Sequence, residues 1–149
     1  WNRKMSDKFE GTISLEEGLK IVDTDYVKRV INYLETRQME QSHSNYIKCY
    51  SMVLKLCDEN DKAKDLNDYF RNTLLAHISQ RIVPTLKKLR DDSLLKEFVR
   101  QWQNYTILVH FMRKMFNYLD RYYLKNTNMQ TLAMSSLQFF KDNCFASLQ

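Results

Sequence analysis

Gly11, Gly18 and Pro84 are the only glycines and the only proline among 149 residues. An all-β domain reverses direction every few residues and draws on glycine and proline to do so. This chain has almost none to give, so long helices are expected. The same shortage leaves no glycine-rich loop of the kind that cradles phosphate groups. Cysteine is also sparse and odd in number: Cys49, Cys57 and Cys144. Cys49 and Cys57 are eight positions apart on a predicted helix, too far to bridge. Free, buried thiols in a reducing compartment are therefore expected, with a cytoplasmic or nuclear location. No apolar run approaches the ~20 residues of a membrane span, and nothing like a signal peptide leads into the first helix. The chain opens on Trp1 instead of methionine and reads as a piece of a longer protein.

What is abundant is apolar and aromatic side chain, 44% and 13% of residues. That content rules against disorder, and a chain of this length can bury a core of its own as one domain. The net charge of +5 comes from 23 basic and 18 acidic residues. They are interspersed, as in "KKLRDDSLLKE". A nucleic-acid binder more often shows a basic stripe with interleaved aromatics, and none stands out.

Apolar periodicity divides the chain into five predicted helices, joined by short polar links into one bundle. The first runs from about Ser14 to Thr36, where Ser14 and Glu17 have capping-box spacing. The second covers "NYIKCYSMVLKLC", Asn45 to Cys57, with Ser44 as its expected N-cap. The third runs from about Ala63 to Leu89 and contains Pro84, which should kink or break it. In the fourth, Phe98, Trp102, Tyr105, Val109, Met112, Phe116, Leu119 and Tyr123 recur at steps of four and three. This stripe predicts one central, most buried helix with Trp102, Val109, Met112 and Phe116 in the core. The fifth starts near Met129. Residues 1–13 are expected to be a flexible extension and 14–149 the folded domain.

Chemistry is hard to place on these helices. His43, His77 and His110 are scattered, and no Cys-x-x-Cys or His-x-x-x-His spacing occurs, so no metal or cofactor is expected. No nucleophile elbow is present, and no catalytic residues are predicted. Recognition by a surface remains. The second helix carries two overlapping apolar stripes, Tyr46–Tyr50–Val53–Cys57 and Ile47–Tyr50–Leu54. Such a helix either lies between neighbours in its own fold or offers one face to a partner.

Four segments bear a family resemblance. Tyr118-Leu119-Asp120-Arg121-Tyr122, closing a long apolar helix that contains Trp102, resembles the Tyr-Leu-(Asp/Asn)-Arg-(Tyr/His) signature of cullin N-terminal regions. The second helix is similar to the family pattern Tyr-Met-x-Leu-Tyr-x-x-Val-Tyr-x-x-Cys. It matches at Tyr46, Tyr50, Val53 and Cys57, with Ile47 for Met, Cys49 for Leu and Leu54 for Tyr. "FFKDNCF" resembles the family's Phe-Arg-Asp segment, and "IVPTLKKLRD" is similar to plant members of the cullin-1 group.

The resemblance implies a five-helix first cullin repeat. Such repeats belong to elongated scaffolds of ubiquitin ligases, including the SCF complex of ubiquitin-dependent protein catabolism. It implies a Skp-type adaptor, or one of the BTB class, bound through the second and fifth helices and carrying an F-box protein or other substrate receptor. Tyr46, Ile47 and Tyr50 become the expected contacts, with Leu132, Ala133 and Ser136 as a neighbouring strip. The RING protein would be held only by a C-terminal part that this chain lacks. No catalysis, nucleic acid or membrane is expected. Two other readings stand beside it: a secreted helical cytokine, which usually carries disulfides, and a helical nucleic-acid-binding module, whose binding would depend steeply on salt.

Overall fold

The computed structural model describes residues 13–38, 43–58 and 62–146. Among the described residues there are six helices and no strand. The all-α expectation holds, and the expected five helices become six. Helix α1 occupies residues 15–36, made of Leu15–Val22, a π-helical turn Asp23–Val27 and Lys28–Thr36. Helix α2 is His43–Asp58. Helix α3 occupies residues 63–87, with a π-helical turn at Ile78–Ile82. Helix α4 is Asp91–Met115, α5 occupies residues 117–126, and α6 occupies residues 132–146.

The extra helix arises at Phe116, where φ is −101° and ψ 21°. The single stripe expected to run through Tyr123 is broken there. Phe116 is fully buried, with its ring 5.9 Å from Tyr69 and 6.0 Å from Phe70 of α3. Periodicity could not show the break because Leu119 and Leu124 beyond it are also core residues.

Helix ends follow their local chemistry. The Ser14 hydroxyl accepts a 3.2 Å hydrogen bond from the Glu17 amide, as an N-cap should. Ser44, expected to cap α2, instead lies inside it. Helix α5 ends where Asn128 turns left-handed at φ 56°. The Met129 amide then donates to the Leu124 carbonyl and the Asn128 amide to the Lys125 carbonyl. This is the Schellman arrangement, and asparagine tolerates its left-handed position. Pro84 does not break α3. The π-helical turn just before it, in which the Val83 amide donates five residues back to Ile78, leads into a new α-turn that Pro84 opens. A proline lacks the amide that such an opening position would leave unpaired.

The core draws on all six helices, with Val22, Tyr26, Met52, Leu66, Phe70, Met112, Leu119 and Phe140 all essentially inaccessible. Of the four residues expected in the core from the fourth stripe, Met112 and Phe116 are buried, whereas Trp102 and Val109 are half-buried. Helix α4 is not the most buried element. None of residues 91–100 is buried, and Leu95 and Val99 are exposed. Gly18 lets α1 approach α2 closely: a Cβ there would lie 2.7 Å from Leu56 Cδ1. Cys49, Cys57 and Cys144 are buried and free, and burial pushes the Cys57 thiol up to about 12. Of the extension expected over residues 1–13, only Ile13 is described, packed half-buried against the core.

Candidate docking face

Helix α2 packs mainly on α1, α3 and α4. Cys49, Met52, Val53 and Leu56 point inwards. Tyr46 and Tyr50, one turn apart, are only half-buried, and Ile47 is 49% exposed. The core tyrosines Tyr26 and Tyr105 are exposed by 1% and 2%. The three side chains expected to make contacts therefore form one patch, as i, i+1 and i+4 positions with two adjacent stems allow. The Tyr46 and Tyr50 rings stack at 5.9 Å and 17°. On its inner side Tyr46 leans on Tyr26, at 5.9 Å. Its hydroxyl donates to the Lys114 carbonyl at 3.5 Å, and the Lys114 ammonium sits 4.8 Å from the ring centre. Burial, and then the neighbouring Tyr50, raise the Tyr46 pKa, which keeps the phenol protonated as a donor.

The end of α4 borders this patch through Lys114, whereas α5 meets the other end of α2, at Asp58. Tyr118 donates to Asp58 Oδ1 of α2 at 3.4 Å, and its ring lies 4.6 Å from that of Tyr122, itself 50% exposed. The Tyr-Leu-Asp-Arg-Tyr segment thus divides by direction. Leu119 enters the core, and Asp120 turns towards α6, where its Oδ1 accepts the Leu132 amide at 2.8 Å. Arg121 and Tyr122 stay exposed.

The strip expected on the last helix is placed differently. Leu132 and Ser136 are both 1% exposed. They face α3 and α4, the main packing partners of α6, and the Ser136 carbonyl accepts the Tyr105 hydroxyl at 2.6 Å. They are core residues, not surface contacts. The reason is the start of the helix: Thr131 is its N-cap, so the inward face is fixed by Leu132, Ser136 and Phe140 at steps of four. Ala133 is half-buried in a groove of about 230 Å³ with Trp102 and Val109. Sequence reasoning missed Lys114, whose ammonium lies against the Tyr46 ring.

Among the described residues no three His, Cys, Asp or Glu side chains converge as metal ligands, and no helix is long and apolar enough to cross a membrane. A stacked aromatic patch beside cations is suited to contact with another macromolecule.

Residues 24–149 match the model of the cullin alpha solenoid domain. Cullin-1 of Oryza sativa subsp. japonica is 26% identical over 142 residues, an alignment covering 93% of this chain and 19% of that protein. Cullin-2 of Arabidopsis thaliana is 28% identical over 103 residues, covering 67% of this chain and 14% of that protein. Cullin-3 of Dictyostelium discoideum is 26% identical over 132 residues, covering 83% and 16%. The chain thus spans less than a fifth of the length of these relatives. With the family model matched over most of its length and the all-helical fold in place, the chain belongs to the cullin family.

Proposed function

We propose that this chain is a non-catalytic scaffold segment of a cullin-RING ubiquitin ligase, and that it docks an adaptor through α2 and the adjoining end of α4. The observation that carries the docking reading is the half-exposed Tyr46–Tyr50 stack with Ile47 exposed beside it. A folded domain that leaves rigid aromatic surface uncovered next to an aliphatic side chain has the makings of an interface centre. Family membership supports an adaptor as the partner, and the reading takes it to be of the Skp-type or BTB class, carrying an F-box protein or another substrate receptor. Ubiquitin transfer and RING binding belong to parts of a cullin outside this chain. Calorimetric titration with a purified Skp-type adaptor and, in parallel, a BTB adaptor tests the reading. Saturable one-to-one binding of one of them is expected, and the absence of heat with both would sink it.

A further inference from the structure

We infer that the cleft between α1, α3 and α4 is a binding site for a small oxyanion of the phosphate class. The inference stands apart from the docking reading and uses none of its residues.

Buried polar side chains are few in this fold, and most of them gather in one place. Among the described residues they are His77, Gln101, Asn104 and Ser136. Ser136 is satisfied within its own helix, its hydroxyl donating to the Leu132 carbonyl at 2.6 Å. The other three line a single cavity of about 360 Å³. Polar groups taken out of water cost free energy unless each finds a partner, and here the partners are incomplete. Neither His77 Nδ1 nor His77 Nε2 has one among the described residues. Asn104 Oδ1 accepts the Arg37 guanidinium at 2.5 Å, which orients the amide and leaves its Nδ2 donor unmet among the described residues. Gln101 gives its amide to Glu97 Oε1 at 2.9 Å and braces that carboxylate against Arg100. A cavity with a few convergent polar groups left over is the usual form of a small-ligand site.

Charge sets the class of ligand. Arg81, Lys88 and Arg100 line the same cavity, with Glu35 the one acidic residue among its walls. Glu35 pairs with Arg81, and Glu97 pairs with Arg100. Both carboxylates keep their charge and offset those two cations. Lys88 has no ion pair among the described residues, and Arg37 meets only the neutral Asn104 amide and the Tyr33 ring. The surplus at the cavity is therefore positive. His77, Glu35 and Arg81 also line the adjoining cavity of about 460 Å³, where Lys28 is offset by Asp23. The Arg81–Glu35 pair thus stands where the two cavities meet, at the imidazole. Cations from the end of α1, from α3 and from α4 belong to three separate walls. Such an arrangement suits a tetrahedral oxyanion, which takes donors from several directions, better than a planar carboxylate met by one guanidinium fork. The imidazole adds an N–H donor, and a bound anion favours its charged form.

Titration of the isotope-labelled chain with inorganic phosphate, at an ionic strength and pH held constant with NaCl and buffer, reads the His77 ring and Asn104 side-chain amide signals by NMR. Saturable shifts of both are expected, with a Kd of about 1 mM or tighter. O-phosphoserine is the second probe: tighter binding than phosphate assigns a phosphoryl group carried on a larger molecule, and equal or weaker binding assigns the free ion. Lys88→Glu, at an exposed position, should weaken phosphate binding by about 10-fold or more, the scale of a lost charge-assisted contact. His77→Leu should weaken it too, while Lys125→Glu, which is no part of the cavity, should leave it unchanged. If acetate at the same concentration moves the same signals as far as phosphate does, the response is general screening and the site is refuted. If neither phosphate probe moves them, or if Lys88→Glu and His77→Leu bind phosphate as the wild type does, the cleft is a hydrated structural gap and the inference falls.

Discussion

His77 is the residue with the least comfortable place in the fold. It ends the first α-helical part of α3, is 7% exposed, and neither Nδ1 nor Nε2 has a hydrogen-bond partner among the described residues. Burial, and then the Arg81 guanidinium, lower its pKa to about 4, with Glu35 pulling weakly the other way. An unfolded histidine titrates near 6.5. The folded value is the lower one, so folding favours the neutral ring. The stability contribution is complete above about pH 6.5 and is lost as pH falls towards 4. Between pH 7 and pH 5 that loss is about 2 kcal/mol. Urea unfolding at the two pH values measures it. His77→Leu should remove this part of the pH dependence and be neutral or stabilising at pH 7, because it deletes an unpaired buried polar group. A variant that keeps the wild-type difference between pH 7 and pH 5 would place the acid sensitivity elsewhere.

At the scale of elements, α6 is held at its start by two side chains from different places. Thr131 Oγ1 accepts the Met134 amide as a local cap, and Asp120 Oδ1 of α5 accepts the Leu132 amide. The aspartate of the Tyr-Leu-Asp-Arg-Tyr segment therefore fastens α5 to α6 and favours the positive end of the helix with its charge. Asp120→Ala should cost about 0.5–2 kcal/mol, the usual range for a lost cap; a midpoint shift in urea reads it, and an unshifted midpoint would show that Thr131 alone suffices. The existence of most of these helices was legible in the sequence, since apolar side chains at steps of three and four need a helix to share a face. The Ser14 cap was legible for the same local reason. The break at Phe116 and the π-helical turns were not. Each adds or removes a fraction of a turn where apolar residues continue on both sides, so the pattern reads through. The inward setting of Leu132 and Ser136 was hidden too, because it depends on α6 beginning at Leu132 and not near Met129.

At the scale of the whole molecule, the question is whether Tyr46 and Tyr50 hold the bundle together or face a partner. The geometry gives each a share of both. Tyr46 touches Tyr26 and the backbone of α4, so its truncation removes some packing between α1, α2 and α4. Yet the residues of α2 that fill the interior, Cys49, Met52, Val53 and Leu56, are untouched by the change. The double variant Tyr46→Ala, Tyr50→Ala should therefore keep the helical circular-dichroism spectrum and melt cooperatively, with a loss no greater than a few kcal/mol typical of partly buried side chains. Its affinity for the adaptor should fall by several kcal/mol, as when two central aromatic anchors are removed from an interface. Ile47, more exposed than either tyrosine, makes the cleaner companion: Ile47→Asp sets a charge where apolar contact is expected and takes little from the core. If the double variant unfolds while Ile47→Asp folds and binds normally, the tyrosines are structural and α2 has no docking role. If both variants fold and neither loses the adaptor, the partner sits on another surface. Loss of binding in both, with helicity retained in both, is the outcome expected from the half-exposed stack.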